Sequence, residues 1–176
     1  MTDTAETTPA PTTSHHGPGG TYRIDIVGQP PNAFIERQAT IPEVEPFIIG
    51  VRPSYEETYQ VTPGQFTPRA TATDVFISAV ASCMVGAFAR SIEARGIEVH
   101  AGHVTATIDS HIAKEPGGIR YVDRIHLQLH THYSAEHKEA LQRAFQNFER
   151  RCWLSQTLVG SRCAVTSELV IGEPTE

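Results

Sequence analysis

Cysteine is scarce in this chain. Three in 176 residues, Cys83, Cys152 and Cys163, are too few and too far apart for a disulfide scaffold, and no two form a CxxC redox or zinc pair. Positive charge is also short. Basic residues number 14 against 20 acidic ones, a formal charge of −6, so the broad cationic field that draws nucleic acid or anionic lipid is missing. No long apolar run is present either. The longest charge-free stretch inside a regular segment, Val75 to Ala89, has 15 residues and includes Ser78, Ser82 and Gly86, short of the roughly 20 that span a bilayer. The opening MTDTAETTPAPTTSHH carries acid where a secretory signal is basic, and it lacks an apolar core. The expectation is a soluble protein of a reducing cytoplasm, with neither nucleic acid nor membrane among its partners.

Residues 1–20 contain no aliphatic side chain larger than Ala after Met1, a composition that cannot bury enough surface to offset its ordering entropy. They read as a disordered tail ahead of one domain over 21–176. Strand-like alternation runs from Tyr22 to Val27, breaks at Gln29-Pro30-Pro31-Asn32, and resumes from Ala33 to Ile41. Phe47 to Val51 and Tyr55 to Val61 are further strand candidates. Thr71 followed by Asp74 resembles a capping box, and Ala72 to Arg95 then runs without Pro to Gly96, a good left-handed C-cap. This helix would reach about 36 Å. Its first turns are apolar around nearly the whole circumference, which requires cover on all sides. A domain this small struggles to provide that alone, so burial by a second copy of the chain is expected.

Ile97 to Ile112 and Ile119 to His132 alternate around Glu115-Pro116-Gly117-Gly118, predicting a long antiparallel hairpin. Val104, Ala106 and Ile108 would face inward with Ile125, Leu127 and Leu129. The opposite face holds His126, His130 and His132, and His103 set against His130 would supply nitrogen ligands of the kind zinc prefers. No cysteine or carboxylate cluster accompanies them, so the face reads as a solvated polar surface and no metal is expected. Ser134 is placed to cap a second helix, Ala135 to about Cys152, whose Leu141, Phe145, Phe148 and Cys152 form one stripe. Ala164 to Ile171 reads as a closing strand.

Thiol chemistry needs a thiolate, and a reactive cysteine needs a cation or helix N-terminus beside it. Cys83 lies about three turns into its helix, and the nearest cation on its own face, Arg90, is two turns away. An activating charge from another segment would come from Arg37, Arg52 or Arg69. From spacing alone Cys83 and Cys152 read as small core residues, and Cys163 as structural.

The residues around the first two cysteines alter that reading. Asp74-Val75-Phe76-Ile77-Ser78-Ala79-Val80-Ala81-Ser82-Cys83-Met84 resembles the "ELLAAALASC" signature of the OsmC/Ohr family, the osmotically inducible and organic-hydroperoxide-resistance proteins. Arg95-Gly96-Ile97-Glu98-Val99 resembles the usual end of that helix, and Arg151-Cys152-Trp153-Leu154-Ser155-Gln156-Thr157-Leu158 resembles the second motif, "CPVSNTL". The two motifs stand in the family's order, 69 residues apart, and the resemblance covers roughly Thr71 to Ile171.

The resemblance implies an α+β fold, an intertwined homodimer with antiparallel sheets around long central helices. It also implies a peroxidase: Cys83 attacks an organic hydroperoxide and becomes a sulfenic acid, Cys152 resolves it as a disulfide, and an external dithiol restores both thiols. No metal or organic cofactor is implied. In the family an arginine supports the thiolate and a glutamate ten residues before the cysteine orients it. The arginine is not fixed: Arg37 lies on a predicted strand at roughly the right distance upstream, while Arg52 and Arg69 lie in loops. The glutamate's position is held by Thr73, with Asp74 one residue on, Ala72 stands for the preceding Pro, and Trp153 for the Pro of the second motif. Thr73 favours the alternative, a non-enzymatic dimer of this fold that serves as a redox sensor or binds a small ligand.

Overall fold

The computed structural model describes residues 23–172, which divide between Arg69 and Ala70 into two compact units. The predicted tail, 1–20, lies outside the described residues.

The first unit holds a three-stranded antiparallel sheet in the order β1 (Asp25–Gly28), β2 (Arg37–Thr40), β3 (Phe47–Ile49). The break between β1 and β2 falls at Pro30-Pro31, as the sequence suggests, and Gln29 N–H donates across it to the Glu36 carbonyl at 2.8 Å. Gly28 is required here because a Cβ on it would sit 2.4 Å from the Ala33 Cβ. Ile35, Val51 and Phe66 form a small core, with Tyr55 and Val61 against it. The strand expected over Tyr55 to Val61 is absent. Pro53 starts a 3-10 turn through Tyr55, and further turns run on to Gln60, whose φ of 55° is left-handed. These turns satisfy the amides that a strand would have to pair elsewhere: Val61 N–H donates to the Glu56 carbonyl, and the buried Glu56 carboxylate accepts from Gly64 N–H at 3.0 Å.

In the second unit the main helix, α1, spans Ala72–Glu93. The predicted capping box is present: the Asp74 carboxylate accepts from both the backbone N–H and the hydroxyl of Thr71 at 2.8 Å, and Thr71 Oγ1 accepts from Asp74 N–H. Gly96, at φ 76°, follows the helix end. α1 is long and apolar enough to cross a bilayer by length and composition, which the uninterrupted apolar count does not indicate. Its stripe Val80, Ala81, Met84, Phe88 and Ile92 is buried in the core, while Phe76, Ala79 and Gly86 remain exposed.

Helix α2 (Lys138–Phe148) turns Leu141, Ala144 and Phe148 toward that stripe, and the Phe88 ring meets the rings of Phe148 and Phe145 edge-on at 5.4 and 6.1 Å. A second sheet, ordered β4 (Val104–Lys114), β5 (Arg120–His132), β6 (Ala164–Gly172), contributes Ile125, Leu127 and Leu129 to the same core. Ala106 pairs with Leu129 and Ile108 with Leu127, the inward set that alternation predicts. The expected antiparallel pairing holds for β4 and β5 but not for β6, which runs parallel to β5, so the chain between them must cross over, and the helices make that crossing.

Several boundaries differ from those expected, two of them by most of a turn or more. β4 starts at Val104 rather than Ile97, because Gly102 adopts φ 84° and His103 N–H turns back to the His100 carbonyl. The helix expected over Ala135 to Cys152 is broken into a 3-10 turn (Ala135–His137), α2, and a second 3-10 turn (Glu149–Arg151). Ser134 does not cap with its side chain, which bonds instead to the Glu136 carboxylate at 2.9 Å.

Candidate active site

The second break creates the site. After the 3-10 turn, Cys152 adopts an extended conformation and becomes the N-cap of a short helix, α3 (Trp153–Leu158). An unbroken helix would have left Cys152 on the α2 stripe. Instead its sulfur accepts from Ser155 N–H at 3.4 Å and lies 3.2 Å from the sulfur of Cys83. Both cysteines are free thiols. A disulfide brings sulfurs to about 2.05 Å, so they need approach by only about 1 Å to bond.

The two thiols differ. Cys83 sits beside the buried stripe of α1 and is half-exposed, whereas Cys152 is fully buried. Burial pushes the Cys152 thiol up to about 11, with the hydrogen bond and charge of Cys83 acting in the same direction and Ser155 N–H pulling it down. Cys152 therefore stays protonated at neutral pH and donates to the Cys83 sulfur. The half-exposed sulfur accepts and the buried one donates.

Cys83 opens into a cavity of about 420 Å³ lined by Ala87, Arg90, Ala94, Arg151 and Trp153. Cys83, Ala87, Arg90 and the C-cap residue Ala94 recur at spacings of four, three and four, so they continue one face of α1, and the two alanines leave the space open. Arg151 and Trp153 flank Cys152 and form the facing wall. Trp153 lines the cavity and is 63% exposed, and it does not separate the sulfurs, which lie 3.2 Å apart. Arg151 is a site residue that spacing does not identify. Its only sequence signal is adjacency to Cys152, which a continuous helix would have made irrelevant.

The other candidate arginines belong to the first unit. Arg37 is on β2 of the first unit and donates from Nη1 to the Phe34 carbonyl at 3.0 Å. Arg52 lies over the Tyr55 ring at 4.6 Å, and Arg69 pairs with Glu36 at 3.5 Å, both also within that unit. Asp74 is engaged in the cap of α1, and Thr73 beside it is half-buried. Cys163 is buried ahead of β6, its thiol pushed up by burial and then by the charge of Asp123. The histidine set does not assemble: His130 pairs with Thr105, not His103, and His126 bonds Thr166 at 2.9 Å. His103 lies outside the ladder, its ring against those of His100 and Tyr133. No group of three side chains suited to a metal occurs among the described residues.

A model of the OsmC-like protein family matches residues 64–168. No curated protein matches the sequence. Among solved structures, an OsmC-like protein of Mycoplasma pneumoniae superposes with a TM-score of 0.66 at 15% identity, over 87% of this chain and 98% of that one. The organic hydroperoxide resistance protein OhrB of Bacillus subtilis gives 0.60 at 18% identity, over 86% and 98%. An organic hydroperoxide resistance protein OsmC of Legionella pneumophila gives 0.57 at 15%, over 89% and 99%. At these identities the likeness establishes the shared α+β fold.

Proposed function

The chain belongs to the OsmC-like protein family, and from that premise we propose that it is a thiol peroxidase that reduces organic hydroperoxides, with Cys83 attacking and Cys152 resolving. The observation that carries the reading is the pair of sulfurs 3.2 Å apart, one half-exposed at a cavity and one buried. The Cys83 thiolate attacks the terminal peroxide oxygen. The O–O bond breaks, the alkoxide leaves and is protonated to the alcohol, and Cys83 becomes a sulfenic acid. The Cys152 sulfur then displaces hydroxide from Cys83, which leaves with the Cys152 proton as water, and a disulfide forms. An external dithiol, available in a reducing cytoplasm, is oxidised to its own disulfide as it returns both thiols.

Arg37 is assigned the support of the Cys83 thiolate by resemblance, with Thr73 at the position where the family places a carboxylate and Asp74 one residue on. The active form is a homodimer. The support for this is α1, whose exposed Phe76, Ala79 and Gly86 lie on an otherwise apolar helix that a second copy would cover. Steady-state turnover of cumene hydroperoxide with dithiothreitol tests the reading. Loss of turnover in Cys83→Ser is expected, and equal rates in wild type and variant would reject it. Thr73 favours a second reading, a dimer that binds or senses without turning over, and that reading predicts equal rates.

A further inference from the structure

The cavity at Cys83 is lined by two cations and no acid. Arg90 and Arg151 form no hydrogen bond or ion pair through their side chains among the described residues, whereas Arg95, Arg143 and Arg162 are each held by a carbonyl or a carboxylate. In a chain of net charge −6, two unpartnered guanidiniums facing the cavity of a nucleophile form a local positive site. Arg90 lies two turns beyond Cys83, about 10 Å along the helix axis. Both line the cavity, so Arg90 is available to one end of a bound molecule whose other end reaches Cys83. Between them Ala87 leaves the floor open, and Trp153 supplies a flat apolar wall that is otherwise exposed to water. The volume, about 420 Å³, lies in the range of small-molecule pockets.

Resting on the peroxidase reading, we propose that Arg90 and Arg151 bind a carboxylate, so that the preferred substrates are compact organic hydroperoxides bearing a negative charge at the end remote from the peroxide. The carboxylate meets the two guanidiniums, the apolar body lies against Trp153, and the peroxide reaches Cys83. A guanidinium suits this role because it presents paired donors to a carboxylate.

The test compares 4-(2-hydroperoxypropan-2-yl)benzoate with its methyl ester. The expected kcat/KM ratio is about tenfold in favour of the carboxylate at low salt, the lower end for charged hydrogen bonds at an exposed site, and it falls as salt screens the pair. Replacing Arg90→Gln and Arg151→Gln together should bring the ratio to near one, while Arg90→Lys with Arg151→Lys should restore part of it. A second arm needs no turnover. Trp153 is the only tryptophan, so quenching of its fluorescence by 4-isopropylbenzoate reads binding at this wall directly, in Cys83→Ser as in wild type. A wild-type ratio of one with no quenching overturns the carboxylate site and leaves the peroxidase reading standing. Quenching that the Gln pair abolishes, with neither hydroperoxide turned over, supports the carboxylate site and rejects the peroxidase reading.

Discussion

Oxidising the chain with one equivalent of hydroperoxide should join Cys83 to Cys152 and stabilise the fold measurably. The sulfurs already lie 3.2 Å apart, so little rearrangement is required, while the residues joined are 69 apart in sequence. The loop-closure model for a loop of that length removes about 15 cal/mol/K of entropy from the unfolded chain, a ceiling of about 4 kcal/mol at 25 °C. For a chain of this size that corresponds to a rise in Tm of roughly 10 °C. The assay is thermal unfolding of the oxidised protein with and without dithiothreitol. Intact mass should show the loss of two hydrogen atoms, and a non-reducing digest should link the two cysteine peptides. Cys163→Ser should behave as wild type, and Cys152→Ser should form no intrachain link. An oxidised protein with unchanged Tm, or one linked through Cys163, would refute the reasoning.

Other consequences can be checked on the folded protein. The Thr131 hydroxyl is fully buried and has no hydrogen-bond partner among the described residues, so Thr131→Val should stabilise by about 1 kcal/mol in urea unfolding; destabilisation would show that the hydroxyl is satisfied. Phe88→Ala removes a ring held between α1 and α2 and should cost about 3–5 kcal/mol, and a loss below 1 kcal/mol would contradict that packing. Thr71→Ala deletes the cap of α1 and should cost about 1 kcal/mol, read from the same urea midpoint. The Cys152 thiol is raised from 9.0 to about 11 in the fold, so folding favours its protonated form. Its contribution to stability is present below about pH 9 and is lost as pH rises through about 11. Cys152→Ser should flatten that alkaline decline; an identical slope in both proteins would exclude Cys152 as its source.

The strongest local signals were the ones that could be read from the residues alone. Thr71 with Asp74 marked the start of α1, Gly96 its end, and the alternation on either side of Glu115-Pro116-Gly117-Gly118 gave the hairpin with its inward set correct. Each depends on contacts within a few residues or across one turn. The failures involved competition between local structures. The alternation of Tyr55 to Val61 suits a strand, but Pro53 and the buried Glu56 carboxylate close turns that satisfy the same amides. The stripe Leu141, Phe145, Phe148 continued to Cys152 in period only, because the chain leaves the α-helix at Glu149. That break brings Cys152 to Cys83 and places Arg151 and Trp153 on the cavity, so the pairing of the cysteines came from resemblance, and the arginine beside them was not anticipated. Sharing one strand face did not fix which histidines meet, since register sets His130 against Thr105 and not His103.

The most direct test of the central claim is the stopped-flow rate at which an organic hydroperoxide oxidises Cys83, set against hydrogen peroxide, with the product identified by intact mass. The account predicts oxidation far faster than that of a free thiol, selective for the organic peroxide, and ending in the Cys83 to Cys152 disulfide. A rate no faster than a free thiol, with both peroxides alike, would contradict it.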